Sequence, residues 1–140
     1  MSLLWVDELQ TGVYDLDIKQ IELFDRLNAF LMALGYKTGN PNICTNADID
    51  MTFKFIEEYM IAHFDKEEGF IAEHQYPETE THKESHEAFK TNLARLKGKF
   101  DKRGISTTLT VETELYFKNW LTDHILTEDK AFGDFLQKKP

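Results

Sequence analysis

Apolar residues recur every three or four positions along most of this chain. Leu23, Leu27, Phe30 and Leu34 set that period over about 17–34. Phe55, Ile56, Tyr59, Met60, His63, Phe64 and Glu67 carry a second stripe over about 47–74. His82, His86, Phe89, Leu93 and Leu96 carry a third over about 79–100, and Leu115, Phe117, Trp120, Leu121, His124 and Ile125 a fourth over about 108–136. This is the spacing of helices that bury one face. Glycine and proline cluster in the breaks between them: GYKTGNP at 35–41, Gln75-Tyr76-Pro77, and GKFDKRGIS at 98–106. Asn46 and Ser106 or Thr107 read as N-caps, and Pro77 suits a sharp stop. Short connections between long helices favour antiparallel neighbours, so the expected fold is all-α, an up-down-up-down four-helix bundle. Residues 1–16 do not read as helix; Trp5, Leu9 and Val13 would pack them as an N-terminal arm. The expected organisation is one domain over 1–140, with the bundle at about 17–136.

Composition narrows the function more than the fold. A content of 41% hydrophobic and 29% charged residues over 140 positions is that of a globular chain. Eleven phenylalanines imply an aromatic-rich core. A net charge of −9 argues against nucleic acid and against an anionic membrane surface as partners. No apolar run approaches the roughly 20 residues of a membrane span. Met1 to Val6 is too short for a signal peptide and is followed by Asp7 and Glu8. The single cysteine, Cys44, excludes an internal disulfide and fits a reducing cytoplasm; after a loop it reads as an exposed, inert thiol.

The chemistry lies in the histidines. Four of the five fall in a spaced series: His63-x3-Glu67, His82-x3-His86 and His124-x4-Asp129. Residues four apart share a helix face, so the first two pairs point inward with the apolar stripes. Imidazole with carboxylate suits zinc, iron, copper or manganese. Six groups exceed one tetrahedral zinc site and suggest two metals bridged by carboxylates. Asp129 is out of line, about 140° round an ideal helix from His124. Glu68, about 100° from Glu67, reads as a surface charge, His74 as a solvated helix-end residue, and Tyr59 and Tyr116 as core aromatics.

These residues resemble the bacterial hemerythrins and hemerythrin-like domains. The resemblance starts at Trp5 and Gly12-Val13 and passes through Leu16-Asp17 and Leu23-Phe24 to Asn28. It is strongest at His63-Phe64-x-x-Glu67-Glu68, Tyr76-Pro77, His82-x3-His86 and Trp120-Leu121-x-x-His124-Ile125-x3-Asp129. It implies two non-haem irons with an oxo or hydroxo bridge. His82, His86 and His124 would hold the first iron and His63 the second, with Glu67 and Asp129 bridging.

One ligand is missing. The family's first helix carries Asp-x-Gln-His, where this chain reads Asp17-Ile18-Lys19-Gln20, and residues 1–62 hold no histidine. Gln20 therefore stands at the position of a second-iron histidine, with a weaker neutral oxygen to offer. Gln20, water, Asp17 one turn away, or less favourably Glu22, would substitute; otherwise the second iron binds weakly or oxidises irreversibly. The resulting expectation is a non-enzymatic protein that binds dioxygen or a related small ligand, for carriage or for oxygen or redox sensing. A sensor would need a signalling partner or output domain that the chain does not identify. The alternatives are an interaction or structural bundle with a decayed metal site, and a di-iron peroxide or nitric-oxide reductase.

Overall fold

A computed structural model describes residues 5–40, 42 and 44–138. Met1 to Leu4, most of the stretch too short for a signal peptide, and Pro41 of the first break lie outside them. Four long helices form: α1 (Tyr14–Thr38), α2 (Asn46–Glu73), α3 (Thr79–Arg103) and α4 (Thr107–His124). A π-helical turn, Ile125–Asp129, joins α4 to a last short helix, α5 (Lys130–Lys138). α1 packs on α2, α2 on α3, α3 on α4, and α4 back on α1. The architecture is the expected all-α four-helix bundle.

The helix ends depart from the sequence reading for local reasons. Gly35 and Gly98 lie inside α1 and α3, because an isolated glycine weakens a helix without ending it. α3 stops at Gly104, whose φ of +79° an L side chain rarely adopts. The cap of α2 is Thr45, not Asn46: its side chain accepts from Asp48 N–H while Asp48 accepts from Thr45 N–H. Ser106 does cap α4, accepting from Leu109 N–H. The arm is shorter than expected because α1 begins at Tyr14. Asp17 holds the chain before it, accepting from Thr11 N–H, Thr11 O–H and Gly12 N–H. Leu9 is buried in the core, and Trp5 meets Phe24 edge-on at 5.4 Å.

The core is aromatic and has two parts. The larger contains Leu23, Leu27, Phe30, Phe53, Met60, Phe64, Phe89 and Phe117. The smaller contains Leu16, Ile71 and Phe132, with Phe70 and Tyr76 against it. Each fully buried phenylalanine contributes about 1.5–3 kcal/mol, which helps the fold tolerate the polar layer between the two parts. Phe55 and Leu115 do not join them; they are 54% and 43% exposed. Cys44 is buried rather than exposed, and burial pushes its thiol pKa up, which keeps it protonated and unreactive.

Candidate metal centre

Between the two apolar clusters lies one polar layer. In α1, Gln20 follows buried Leu16 and precedes Leu23 and Phe24; in α2, Glu67 lies between Phe64 and Ile71. α3 adds His82 and His86, and the α4 rod adds His124 and Asp129. All except His63 of the six expected ligand residues are buried, and the His63 side chain is only 7% exposed. Buried charges are costly unless paired or metal-bound, so their convergence needs an explanation.

Three imidazole nitrogens meet two carboxylate oxygens at one point. His82 Nε2 is 2.7 Å from Glu67 Oε1 and 3.0 Å from Asp129 Oδ1. His86 Nε2 is 3.4 Å from Glu67 Oε1, and His124 Nε2 is 3.2 Å from Asp129 Oδ1. His86 Nε2 and His124 Nε2 are 3.2 Å apart. One ligand atom from each of Glu67, His82, His86 and His124 lies within 4.8 Å of all the others.

The outward nitrogens of two of these rings are anchored. His86 Nδ1 is 2.9 Å from Glu68 Oε2. His124 Nδ1 is 2.9 Å from Ser85 Oγ and 3.3 Å from Glu128 Oε2. A carboxylate or hydroxyl behind an imidazole fixes which nitrogen faces inward, as metal-binding histidines require. Phe64 stacks on His86 at 4.0 Å and Trp120 on His124 at 4.6 Å, and a cavity of about 230 Å³ borders Ser85, Trp120 and His124. Asp129 Oδ1 and Gln20 Oε1 are buried without an aligned hydrogen-bond partner. The nitrogen and oxygen donors, their anchoring and Asp129 Oδ1 all fit a divalent transition metal.

The opposite oxygens of the same carboxylates face a second position. Glu67 Oε2 is 3.4 Å from His63 Nε2. Gln20 Nε2 donates to Glu67 Oε2 at 3.1 Å and to Asp129 Oδ2 at 2.6 Å. Gln20, 1% exposed, is therefore inside the layer.

The carboxylates and imidazoles shift one another. Burial alone would raise the Glu67 carboxyl pKa, but hydrogen bonds from His124, His63, His82 and His86 hold it well below the usual range. Burial would lower the His82 imidazole; Asp129 and Glu67 instead raise it to about 9. His124 is likewise raised, against burial, chiefly by Asp129. A cation taking these donors displaces protons.

Residues 11–136 match the family described as Hemerythrin HHE cation binding domain. The chain belongs to this family. It is 26% identical over 132 residues to a bacteriohemerythrin of Stenotrophomonas maltophilia (strain R551-3), covering 94% of this chain and 80% of that one. A hemerythrin subunit of Sipunculus nudus is 34% identical over 74 residues, 53% of this chain and 55% of its own. A bacteriohemerythrin of Pseudomonas paraeruginosa (strain DSM 24068 / PA7) is 24% identical over 132 residues, again 94% and 80%.

Within this hemerythrin-type layer, several residues differ from their sequence reading. The π turn brings Asp129 into line: Lys130 N–H bonds Ile125 O, five residues back, and the added residue rotates Asp129 onto the His124 face. Glu68 is no free surface charge, since α2–α3 packing sets it behind His86. Asp17 accepts hydrogen bonds from the arm, and Glu22 is exposed. Lys19 is exposed, with its ammonium 5.8 Å from the Phe70 ring. His74 is half-buried against Phe70 at 4.7 Å rather than solvated. Tyr59 and Tyr116 pack against the main core as expected. Glu128 had a legible signal, lying one helical turn from His124; Ser85 had none, and Glu68, though part of the resembling motif, meets His86 only when α2 and α3 pack.

Proposed function

We propose that this chain is a hemerythrin-type non-haem iron protein that binds dioxygen or a related small ligand and is not an enzyme. The observation that carries the reading is the two-sided use of Glu67 and Asp129: one oxygen of Glu67 faces His82, His86 and His124 and one of Asp129 faces His82 and His124, while the opposite oxygens face His63 or Gln20. His82, His86 and His124, with one oxygen from each carboxylate, would hold the first iron. His63 and the other oxygens would line the second position, the weaker of the two. Iron held here supplies the redox chemistry that dioxygen binding requires. The protein's residues do the rest: Glu68, Ser85 and Glu128 orient the imidazoles, while Phe64 and Trp120 stack on two of the rings.

A small ligand has a route in. A cavity of about 300 Å³ lined by Leu16, Ile18, Lys19 and Phe70 reaches Glu67. A second, about 160 Å³, borders Lys19, Tyr59 and His63. Both approach the Gln20–His63 side. The altered second position favours oxygen or redox sensing over carriage. Among the described residues no helix is long and apolar enough to cross a membrane.

The test is anaerobic loading with ferrous iron, a count of retained iron, and exposure to air. Retained iron with a charge-transfer band that appears with oxygen and disappears on its removal supports reversible binding. Retained iron that stays oxidised supports redox sensing. A chain that retains no iron sinks the reading.

A further inference from the structure

We propose that this chain holds one iron rather than two, because the Gln20 amide nitrogen occupies the second position between the carboxylates. The inference rests on the iron-protein reading above and specifies how its centre is built. The two oxygens a second ion would need are Asp129 Oδ2 and Glu67 Oε2. Gln20 Nε2 is already on both, at 2.6 and 3.1 Å. An amide nitrogen has two hydrogens, so each carboxylate receives one. Two carboxylate oxygens, both hydrogen-bond acceptors, also decide which way the amide faces, because its own oxygen can only accept. Gln20 Oε1 accordingly points away and finds no partner.

A second ion cannot share those oxygens with N–H groups aimed at them. Turning the amide over would sacrifice both hydrogen bonds and present only a neutral oxygen, a poor exchange for imidazole. The one imidazole on that side is His63, 3.4 Å from Glu67 Oε2. The two sides are therefore unequal in kind. One has three imidazoles and two carboxylate oxygens; the other has one imidazole and a pair of carboxylate oxygens already bonded to an amide. Gln20 lies at 1% exposure between Leu16 and Leu23 on the buried face of α1, where moving the amide off both carboxylates would leave a buried polar group unpaired.

The full chain and its Gln20→His variant are loaded anaerobically with excess ferrous iron and desalted. Iron per chain is then read by elemental analysis and native mass spectrometry, and iron–iron scattering by X-ray absorption. The wild type is expected to keep one iron with no iron–iron scattering, and Gln20→His to keep two with scattering. Gln20→Glu, nearly isosteric, is expected to recruit a second iron as well, and it covers the case in which the larger histidine disturbs folding. Two irons in the wild type overturn the inference while leaving the iron-protein reading intact. One iron in the wild type and in both folded Gln20 variants overturns the role of Gln20. No iron in any of them overturns both readings.

Discussion

The two sides of the polar layer share Glu67 and Asp129 but are built to different standards. On the His82–His86–His124 side, two rings are anchored from behind and two are covered by aromatic faces. On the His63–Gln20 side, one imidazole and one amide face the carboxylates, and cavities approach from between α1 and α2. A ligand set held by second contacts is preorganised, so little is lost in ordering it when a cation binds. An imidazole N–H on these carboxylates can lose its proton to an incoming cation, whereas the Gln20 amide keeps both hydrogens and must first be moved aside. A carboxylate can thus be common to two positions without the positions being equivalent. Its environment on each side decides what it can hold.

The largest effect should separate the two sides outright. His86→Ala removes an imidazole from the crowded side and is expected to abolish iron retention through desalting. His63→Ala, on the other side, is expected to cost much less, through its contact with Glu67 alone. Equal losses in elemental analysis would erase the distinction. Next, Phe64→Ala leaves a cavity against His86, Phe89 and Trp120 and should cost about 3–5 kcal/mol by urea unfolding. A cost below that range would mean the aromatic cover contributes little.

Glu68→Gln tests the anchoring itself. It is expected to lower metal affinity by about 10–100-fold in competition with a chelator. Glu128→Gln should do less, because Ser85 also reaches His124 Nδ1. Ser106→Ala removes the cap of α4 and should cost about 1 kcal/mol, read as a lower thermal midpoint with iron content unchanged. The smallest effect belongs to Asp48, far along α2 from the layer. Hydrogen bonds from Thr45 lower its folded pKa, so it stabilises the fold above the ordinary carboxylate range and ceases to do so as pH falls through the lowered value. The advantage of wild type over Asp48→Asn should therefore shrink on acidification. An advantage that grew would contradict the capping box.

Much of the molecule is legible along the chain. The four helices follow from apolar spacing, and His63, Glu67, His82 and His86 from the same period, because one-turn spacing survives folding unchanged. Asp129 does not follow, since an ideal helix turns it away and only the π turn returns it. Glu68 and Cys44 escape a sequence reading because burial depends on which neighbour packs over a residue, and neighbouring helices are not adjacent in sequence. Gly35 and Gly98 look like breaks but are not, because glycine lowers helix stability without determining where a helix ends.

The chain by itself determined the bundle and the residue types of the layer, Gln20 among them, all of which are matters of local spacing and identity. Only the tertiary structure decided what Gln20 does. Its amide lies on Glu67 and Asp129, residues 47 and 109 positions away. Hydrogen-bond partners at such separations are chosen when helices pack and buried carboxylates must find donors, and no periodicity along one helix contains that information.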